Sequence, residues 1–318
     1  MIEKQSFFET PDKTKLCLYQ WSPDKGETSA VVHIVHGMAE HAFRYKRLAE
    51  RLTGARIEVW AADQRGHGKT ADLSINGPEK GGLLGHCADG DGFLKVTGDI
   101  HALNAEILKT RNVPLFLMGH SWGSFLVQNY IEEHSDSKLT GCILSGTRGP
   151  DGFQVKAGAP FMILLAALRG QRNGSRLAKA MADGPYNAPF KPNRTDFDWI
   201  SRDEEEVDKY VADPLCGFLC SVGFYRDLAK GLNRIHQEKA MEKINRLLPI
   251  YIFSGDSDPV GNMGASPGAL VKKYRELGVK NAEFMLYPGA RHETLNETNR
   301  AEVTDKLLAW IQKHCGKK

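Results

Sequence analysis

The stretch Gly119-His120-Ser121-Trp122-Gly123 sets a hydroxyl between two glycines. The apolar run Leu115-Phe116-Leu117-Met118 leads straight into it. A second run, Phe125-Leu126-Val127, follows at once and continues to Tyr130 and Ile131. This pattern predicts a buried strand, a very tight turn and a helix. Glycines flank the serine because so sharp a turn leaves no room for Cβ atoms beside it. The turn would hold the Ser121 hydroxyl clear of the sheet at a helix N-terminus, where free backbone N–H groups favour developing negative charge. Ser121 is therefore a candidate nucleophile, although the five-residue pattern also occurs by chance in many proteins.

A serine hydroxyl is a poor nucleophile until a base takes its proton. Of the eleven histidines, His292 is the best placed, in the loop Pro288-Gly289-Ala290-Arg291-His292-Glu293 directly after the last predicted strand. His120 adjoins the serine, but neighbours on such a turn point apart, which removes it as the base. A third group must hold the imidazole in one tautomer and stabilise the imidazolium. Asp256 and Asp258 both follow the penultimate strand, in Ser254-Gly255-Asp256-Ser257-Asp258-Pro259, and Asp151 is a more remote third candidate. The order Ser, Asp, His along the chain is that of the α/β-hydrolases. A tetrahedral intermediate also needs donors for its oxyanion. The N–H of Trp122 supplies one, and the loop after His36-Gly37 the other, most simply through Met38. Losing one such donor typically costs about 10²–10³ in rate.

These groups need a scaffold that brings strand ends together. Lys15–Trp21 alternates polar and apolar residues as an entry strand, and Val31–Val35, Ile57–Ala62 and Gly141–Gly146 read as short buried strands. Helical spacing falls between them at Arg44–Leu52 and Phe93–Lys109. Strand and helix alternate as they do in a mostly parallel sheet covered on both faces. The alternation stops from 147 to 248, where helical signals such as Phe161–Leu168 and Leu215–Leu228 dominate. It returns with Pro249–Ser254, a helix around Gly268–Leu277, the strand Glu283–Tyr287 and the helix Ala301–His314. The expected organisation is an α/β core formed by 1–146 and 249–318, with 147–248 inserted as a helical cap. Ligands of open parallel sheets bind beyond the carboxyl ends of the strands, so this insertion would roof the site.

Composition narrows the partners. Hydrophobic content of 41% and charged content of 25% are those of a globular protein. The 42 basic and 39 acidic residues, net +3, form no long single-sign block, which argues against nucleic acid. No run of ~18 apolar residues exists, so no ordinary transmembrane helix is expected. The opening MIEKQSFFETPDKTK lacks an apolar run of secretory type, and a cytoplasmic location with free thiols is expected. Cys216 and Cys220 would share a helix face, and they read as small buried side chains rather than metal ligands. Gly68-Lys69-Thr70 lacks the upstream glycine of a phosphate loop. Asp89-Gly90-Asp91-Gly92 lacks the remaining ligands of a calcium loop.

Longer motifs carry a resemblance. His36-Gly37-Met38-Ala39-Glu40-His41-Ala42-Phe43-Arg44-Tyr45 resembles the HGxxEHxxRY signature of monoacylglycerol lipases and lysophospholipases. Asp63–Gly68 resembles their D-x-R-G-H-G, Gly119–Gly123 their GHSxG, Tyr287–His292 their Y-x-G-x-x-H, and Asp213-Pro214-Leu215 a D-P-L late in their cap. The resemblance runs from about residue 5 to 312. It implies the α/β-hydrolase fold and a serine esterase of monoacyl lipids working through an acyl-enzyme, with no metal or organic cofactor. The nucleophile then falls on Ser121, the base on His292, the acid on Asp258 rather than Asp256, and the oxyanion donors on Met38 and Trp122. Trp122 stands where that family commonly has methionine or leucine, and Ser124 where it often has a second glycine; both are expected to narrow the acyl pocket. The resemblance further implies a cap guarding an apolar tunnel, with transient contact to membrane or micelle surfaces; Phe161–Leu168 fits either a lid helix with an exposed apolar face or a plain core helix of the insertion. A peptidase, an acyltransferase and a silent lipid-binding protein are the alternatives on the same scaffold.

Overall fold

Every residue of β3 (Ala30–Val35), β4 (Ile57–Ala62), β5 (Leu115–His120), β6 (Gly141–Ser145) and β7 (Ile250–Gly255) is buried, as central strands of a sheet covered on both faces must be. A computed structural model describes residues 1–150 and 152–316, the side chains of 152–159 apart. With β1 (Ile2–Glu9), β2 (Lys15–Ser22) and β8 (Ala282–Tyr287), the strands form one sheet in the order β1-β2-β4-β3-β5-β6-β7-β8. The β1–β2 and β2–β4 pairs are antiparallel and all others parallel. Helices cover both faces: α1 (Lys46–Gly54) and α10 (Arg300–Cys315) on one, α2 (Gly92–Thr110), α3 (Trp122–Glu133) and α9 (Ala265–Glu276) on the other. Between β6 and β7 the chain adds no strand to the sheet. It runs through α4 (Gly152–Arg169), α5 (Arg176–Ala182), α6 (Glu204–Ala212), α7 (Val222–Ile235) and α8 (Glu238–Met241).

Register explains why the candidate residues meet. Val35 lies opposite Gly119, His120 opposite Ser145, and Gly255 opposite Tyr287. The loops after β3, β5, β6, β7 and β8 therefore leave the sheet along one rim, where parallel sheets place their ligands.

Two expectations need correcting. The edge strand β1 goes unrecognised because its residues are mostly exposed, with Phe8 alone reaching a core cluster, too little to give it a pattern. The helix expected at Leu215–Leu228 begins only at Val222, where the Ser221 hydroxyl accepts the Phe224 N–H at 3.1 Å as an N-cap. Residues 214–217 turn and 218–220 are irregular, so Cys216 and Cys220 do not share a helix face. All six cysteines are free.

One buried group works against the fold. Glu132 on α3 is 1% exposed, and neither carboxyl oxygen has a hydrogen-bond partner among the described residues. Lys243 pairs with Glu133 instead, at 3.2 Å. Burial, then the Glu133 charge, pushes the Glu132 pKa well up. A carboxyl whose folded pKa is raised costs folding free energy that starts near its unfolded pKa of about 4.3 and grows as pH rises. Glu132→Met, nearly isosteric and apolar, is expected to stabilise the protein by about 1–3 kcal/mol at neutral pH. Urea unfolding of both proteins across pH would show the gap widening above pH ~4.3, and a gap independent of pH would refute the assignment.

Candidate active site

Ser121 occupies the turn between β5 and α3 with φ 53° and ψ −124°, a left-handed conformation that a non-glycine residue adopts only under constraint. The constraint is close packing of backbone on backbone: a Cβ on Gly123 would run into the carbonyl oxygen of Val35. Ser124, buried in the first turn of α3, donates its hydroxyl to the Ser121 carbonyl at 2.5 Å, and its Oγ lies 2.7 Å from the Thr147 hydroxyl.

The candidate base and acid meet as a buried pair. His292 Nδ1 lies 3.0 Å from Asp258 Oδ1. Asp258 also accepts the Val260 N–H at 2.9 Å and the Ser254 hydroxyl at 3.0 Å. Burial opposes ionisation of Asp258, but the charge of His292 and these three donors hold its pKa below the usual carboxylate range. Burial likewise opposes protonation of His292, and Asp258 outweighs it, so the His292 pKa is raised. The structure thus brings Asp258, not Asp256, to the imidazole. Asp256 accepts the Gly289 N–H at 2.7 Å and so braces the loop that carries His292. Asp151 lies outside the described residues. His120 is kept neutral, its pKa pushed down to about 4 by burial and by the neighbouring charge of His292. Its ring lies 4.8 Å from the ring of His292, and its Nδ1 is 3.2 Å from Ser145 Oγ.

Met38 lies in the loop after β3, and Trp122 is the first residue of α3. Sequence reasoning did not see how this loop is held. Glu40, buried, accepts the Gly37 N–H at 2.5 Å and the Tyr45 hydroxyl at 3.0 Å, and pairs with Arg44 at 2.6 Å. Arg44 then makes two parallel bonds to Glu293, at 2.8 and 2.7 Å, the strong bidentate arrangement. One guanidinium therefore joins the loop bearing Met38 to the residue after His292. From the other side Ala39, at φ 53°, offers its carbonyl to the Tyr210 hydroxyl at 2.8 Å and the Gly217 N–H at 2.9 Å. The spacing of Glu40 and Arg44 along a single turn was the available signal, but only the fold supplies Glu293.

Gly37 closes the arrangement from below. A Cβ there would stand 2.8 Å from Glu40 Oε1 and 3.2 Å from Ser121 Cβ. Gly37→Ala is expected to displace the loop against the serine and lower kcat by about 10², with KM little changed. Steady-state kinetics on a short ester would measure it, and a wild-type kcat would show that the loop tolerates the shift.

Ser121 and His292 line a narrow cavity of about 30 Å³ together with Met38, Phe197, Trp199 and Tyr210, room for about one water. Trp122 and Ser124, expected to narrow an acyl pocket, stand outside this closed cavity. The Trp122 ring is buried, turned from the cavity onto His67 at 5.1 Å and Phe224 at 5.0 Å. Ser124 spends its hydroxyl on the nucleophile turn, as described above. Neither side chain lines the cavity. A larger cavity, about 540 Å³, opens between α1 and α10 among Arg47, Arg51 and Arg300 and reaches Glu40 and His120, but neither Ser121 nor His292 lines it.

Known proteins share this arrangement of chain. Residues 26–299 match the family model described as serine aminopeptidase, S33. A monoacylglycerol lipase of Mycolicibacterium smegmatis is 28% identical over 299 residues, covering 92% of this chain and 91% of that protein. A monoglyceride lipase homolog of monkeypox virus is 30% identical over 303 residues, covering 93% of each. Among solved structures, a thermostable carboxyl esterase from Bacillus coagulans, in complex with glycerol, superposes with a TM-score of 0.88 at 26% identity and 99% coverage of both chains. The chain belongs to the serine aminopeptidase S33 family of α/β-hydrolases.

Proposed function

We propose that this protein is a serine carboxylic-ester hydrolase acting on monoacyl lipids, of the monoacylglycerol lipase or lysophospholipase kind. The observation that carries the reading is the buried His292–Asp258 pair in the wall of the cavity that also holds Ser121. The names of the relatives supply the substrate class. Ser121 attacks the ester carbonyl while His292 takes its proton, and the N–H groups of Met38 and Trp122 receive the oxyanion. His292 hands the proton to the departing glycerol. It then activates a water that attacks the acyl-enzyme and releases the fatty acid. Asp258 keeps the His292 proton on Nδ1 throughout and stabilises the imidazolium.

Residues 147–248 act in this scheme as a cap over the core formed by 1–146 and 249–318. A cavity that holds about one water cannot hold an acyl chain, so part of the cap moves in each turnover. The outer helix α4 buries Met162, Leu165 and Ala166 but leaves Phe161, Ile163, Leu164 and Leu168 exposed, the last at 75%. Such an apolar face suits transient contact with a membrane or micelle. No helix among the described residues is long and apolar enough to cross a membrane.

The family's description raises peptide hydrolysis as a second reading. An aminopeptidase needs a carboxylate free to meet the substrate ammonium. The carboxylates lining the cavity are already paired: Glu40 and Glu293 with Arg44, and Asp183 with Lys179 at 2.5 Å. This favours an uncharged ester. A hydrolysis panel of mono-, di- and triacylglycerols, lysophospholipids, short esters and aminoacyl amides tests the choice. Monoacyl esters are expected to be cleaved fastest. Cleavage of the amides with the esters untouched would establish the peptidase, and binding without any turnover a silent protein.

A further inference from the structure

Cys216 and Cys220 look like partners by spacing, and the fold separates them. Cys220 enters the main core, while Cys216 packs with Ile200, Val207 and Tyr210. Cys216 instead meets two residues of other kinds. Its Sγ, one ring nitrogen of His41 and a carboxylate oxygen of Asp213 all lie within 4.8 Å of one another. His41 belongs to the loop that carries Met38, whereas Asp213 and Cys216 lie between α6 and α7. The Asp213 carboxylate is already aimed: Oδ1 accepts the Leu215 N–H at 2.8 Å, which leaves Oδ2 facing His41 at 2.8 Å. The Asp213 side chain is 31% exposed, so the cluster can be reached from solvent.

One nitrogen, one sulfur and one oxygen are the ligand types of four-coordinate Zn²⁺, with water as the fourth. Mg²⁺ and Ca²⁺ instead ask for oxygen ligands. The charges also balance: a dication with one thiolate and one carboxylate is neutral. Neutrality suits this half-buried place, where the nearby guanidinium of Arg44 is already satisfied by Glu40 and Glu293. Zn–ligand bonds of about 2.0–2.3 Å place ligand atoms roughly 3.5 Å apart, so the His41–Asp213 contact has less than about 1 Å to open.

We propose that His41, Asp213 and Cys216 form a site for one soft divalent cation of the Zn²⁺ class, which pins the 210–217 segment to the loop carrying Met38 and slows turnover. On binding, Cys216 releases its thiol proton to solvent. The proton that His41 Nε2 donates to Asp213 Oδ2 is exchanged through solvent so that the ring holds its proton on Nδ1 and offers the Nε2 lone pair, and Oδ2 changes from hydrogen-bond acceptor to ligand. The pinning follows from what lies between the ligands. The Ala39 carbonyl is held there by Tyr210 and Gly217, and all three residues line the cavity beside Ser121. A wall that must yield to admit an acyl chain is fixed from both sides.

Co²⁺ serves as the spectroscopic probe and Zn²⁺ as the functional one, on the full chain and on Cys216→Ser. One equivalent of Co²⁺ is expected to give the wild type an intense near-ultraviolet thiolate-to-metal band, absent from Cys216→Ser. Zn²⁺ is expected to raise the melting temperature of the wild type alone and to cut its ester hydrolysis several-fold, while Cys216→Ser keeps the metal-free rate with or without Zn²⁺. Lack of the band in the wild type, or its survival in Cys216→Ser, overturns the site. Binding that leaves hydrolysis unchanged overturns the pinning. The spectrum and the melting need no substrate, so they decide the site even if the substrate panel contradicts the ester reading.

Discussion

Ser121→Ala is expected to lower kcat by about 10⁶ and to abolish covalent labelling by a fluorophosphonate probe. That factor corresponds to about 8 kcal/mol of transition-state free energy. It is large because removing the hydroxyl removes the covalent route altogether, whereas the oxyanion donors and the binding surface remain and support some residual rate. The fold should survive. Ser121 sits at φ 53°, a conformation costing about 1–3 kcal/mol for a residue with a Cβ. Alanine keeps that Cβ and therefore that strain, so its melting temperature should match the wild type. Ser121→Gly should be equally inactive yet more stable by about 1 kcal/mol, because glycine adopts positive φ without penalty. The pair of variants separates loss of chemistry from loss of structure. Equal labelling of Ser121→Ala and wild type would place the nucleophile elsewhere.

What the sequence revealed and what it hid divide along a physical line. Strands buried on both faces announce themselves as short apolar runs, and β4 at Ile57–Ala62 was placed to the residue. The exposed edge strand β1 had no such run, because hydrogen bonds to β2 alone define it. The start of the helix expected at Leu215–Leu228 lies instead at Val222, because Leu215, Phe218 and Leu219 fit a helical spacing but the cap at Ser221 begins the helix. At the candidate site, local chemistry was legible: a serine turn, a histidine loop, and two aspartates after one strand. The order of contacts was not. Nothing local shows that Asp256 would brace the Gly289 N–H while Asp258 reaches His292, since both follow β7 within three residues. Nor could spacing show that Arg44 joins Glu40 to Glu293, 249 residues away. The packing of Trp122 was hidden for the same reason. Its position beside Ser121 suggested the acyl path, but a side chain at the first position of α3 is directed by packing, here onto His67 and Phe224.

Asp258→Asn should cost about 10⁴ in kcat, and Asp256→Asn less than about tenfold, within the small range of an outer positioning contact. The two carboxylates differ in what an amide can replace. Asp256 accepts the Gly289 N–H and the Ser257 hydroxyl through one oxygen, and an asparagine carbonyl can accept both. Asp258 accepts from Val260 and Ser254 as well as from His292. Val260 and His292 share Oδ1, so an amide oxygen placed there keeps both contacts but not the charge that stabilises the imidazolium, and an amide nitrogen placed there would face two N–H groups and drive the imidazole proton to Nε2. The pH dependence provides a second, independent signature. In the wild type the raised His292 pKa places the rising limb of kcat/KM above the ordinary imidazole value of about 6.5, because the neutral base is the active form. In Asp258→Asn the anion is gone while burial remains, so the limb of the residual activity should move to lower pH. Stability should change in step. The lowered Asp258 pKa contributes stability that is present above about pH 3.9 and lost as pH falls through the folded value. The raised His292 pKa contributes stability present below about pH 6.5 and lost as pH rises through its folded value. The pair therefore stabilises the fold most between roughly pH 4 and 6.5, and Asp258→Asn should flatten that maximum. A larger loss in Asp256→Asn, or a limb that stays in place in Asp258→Asn, would move the acid away from Asp258.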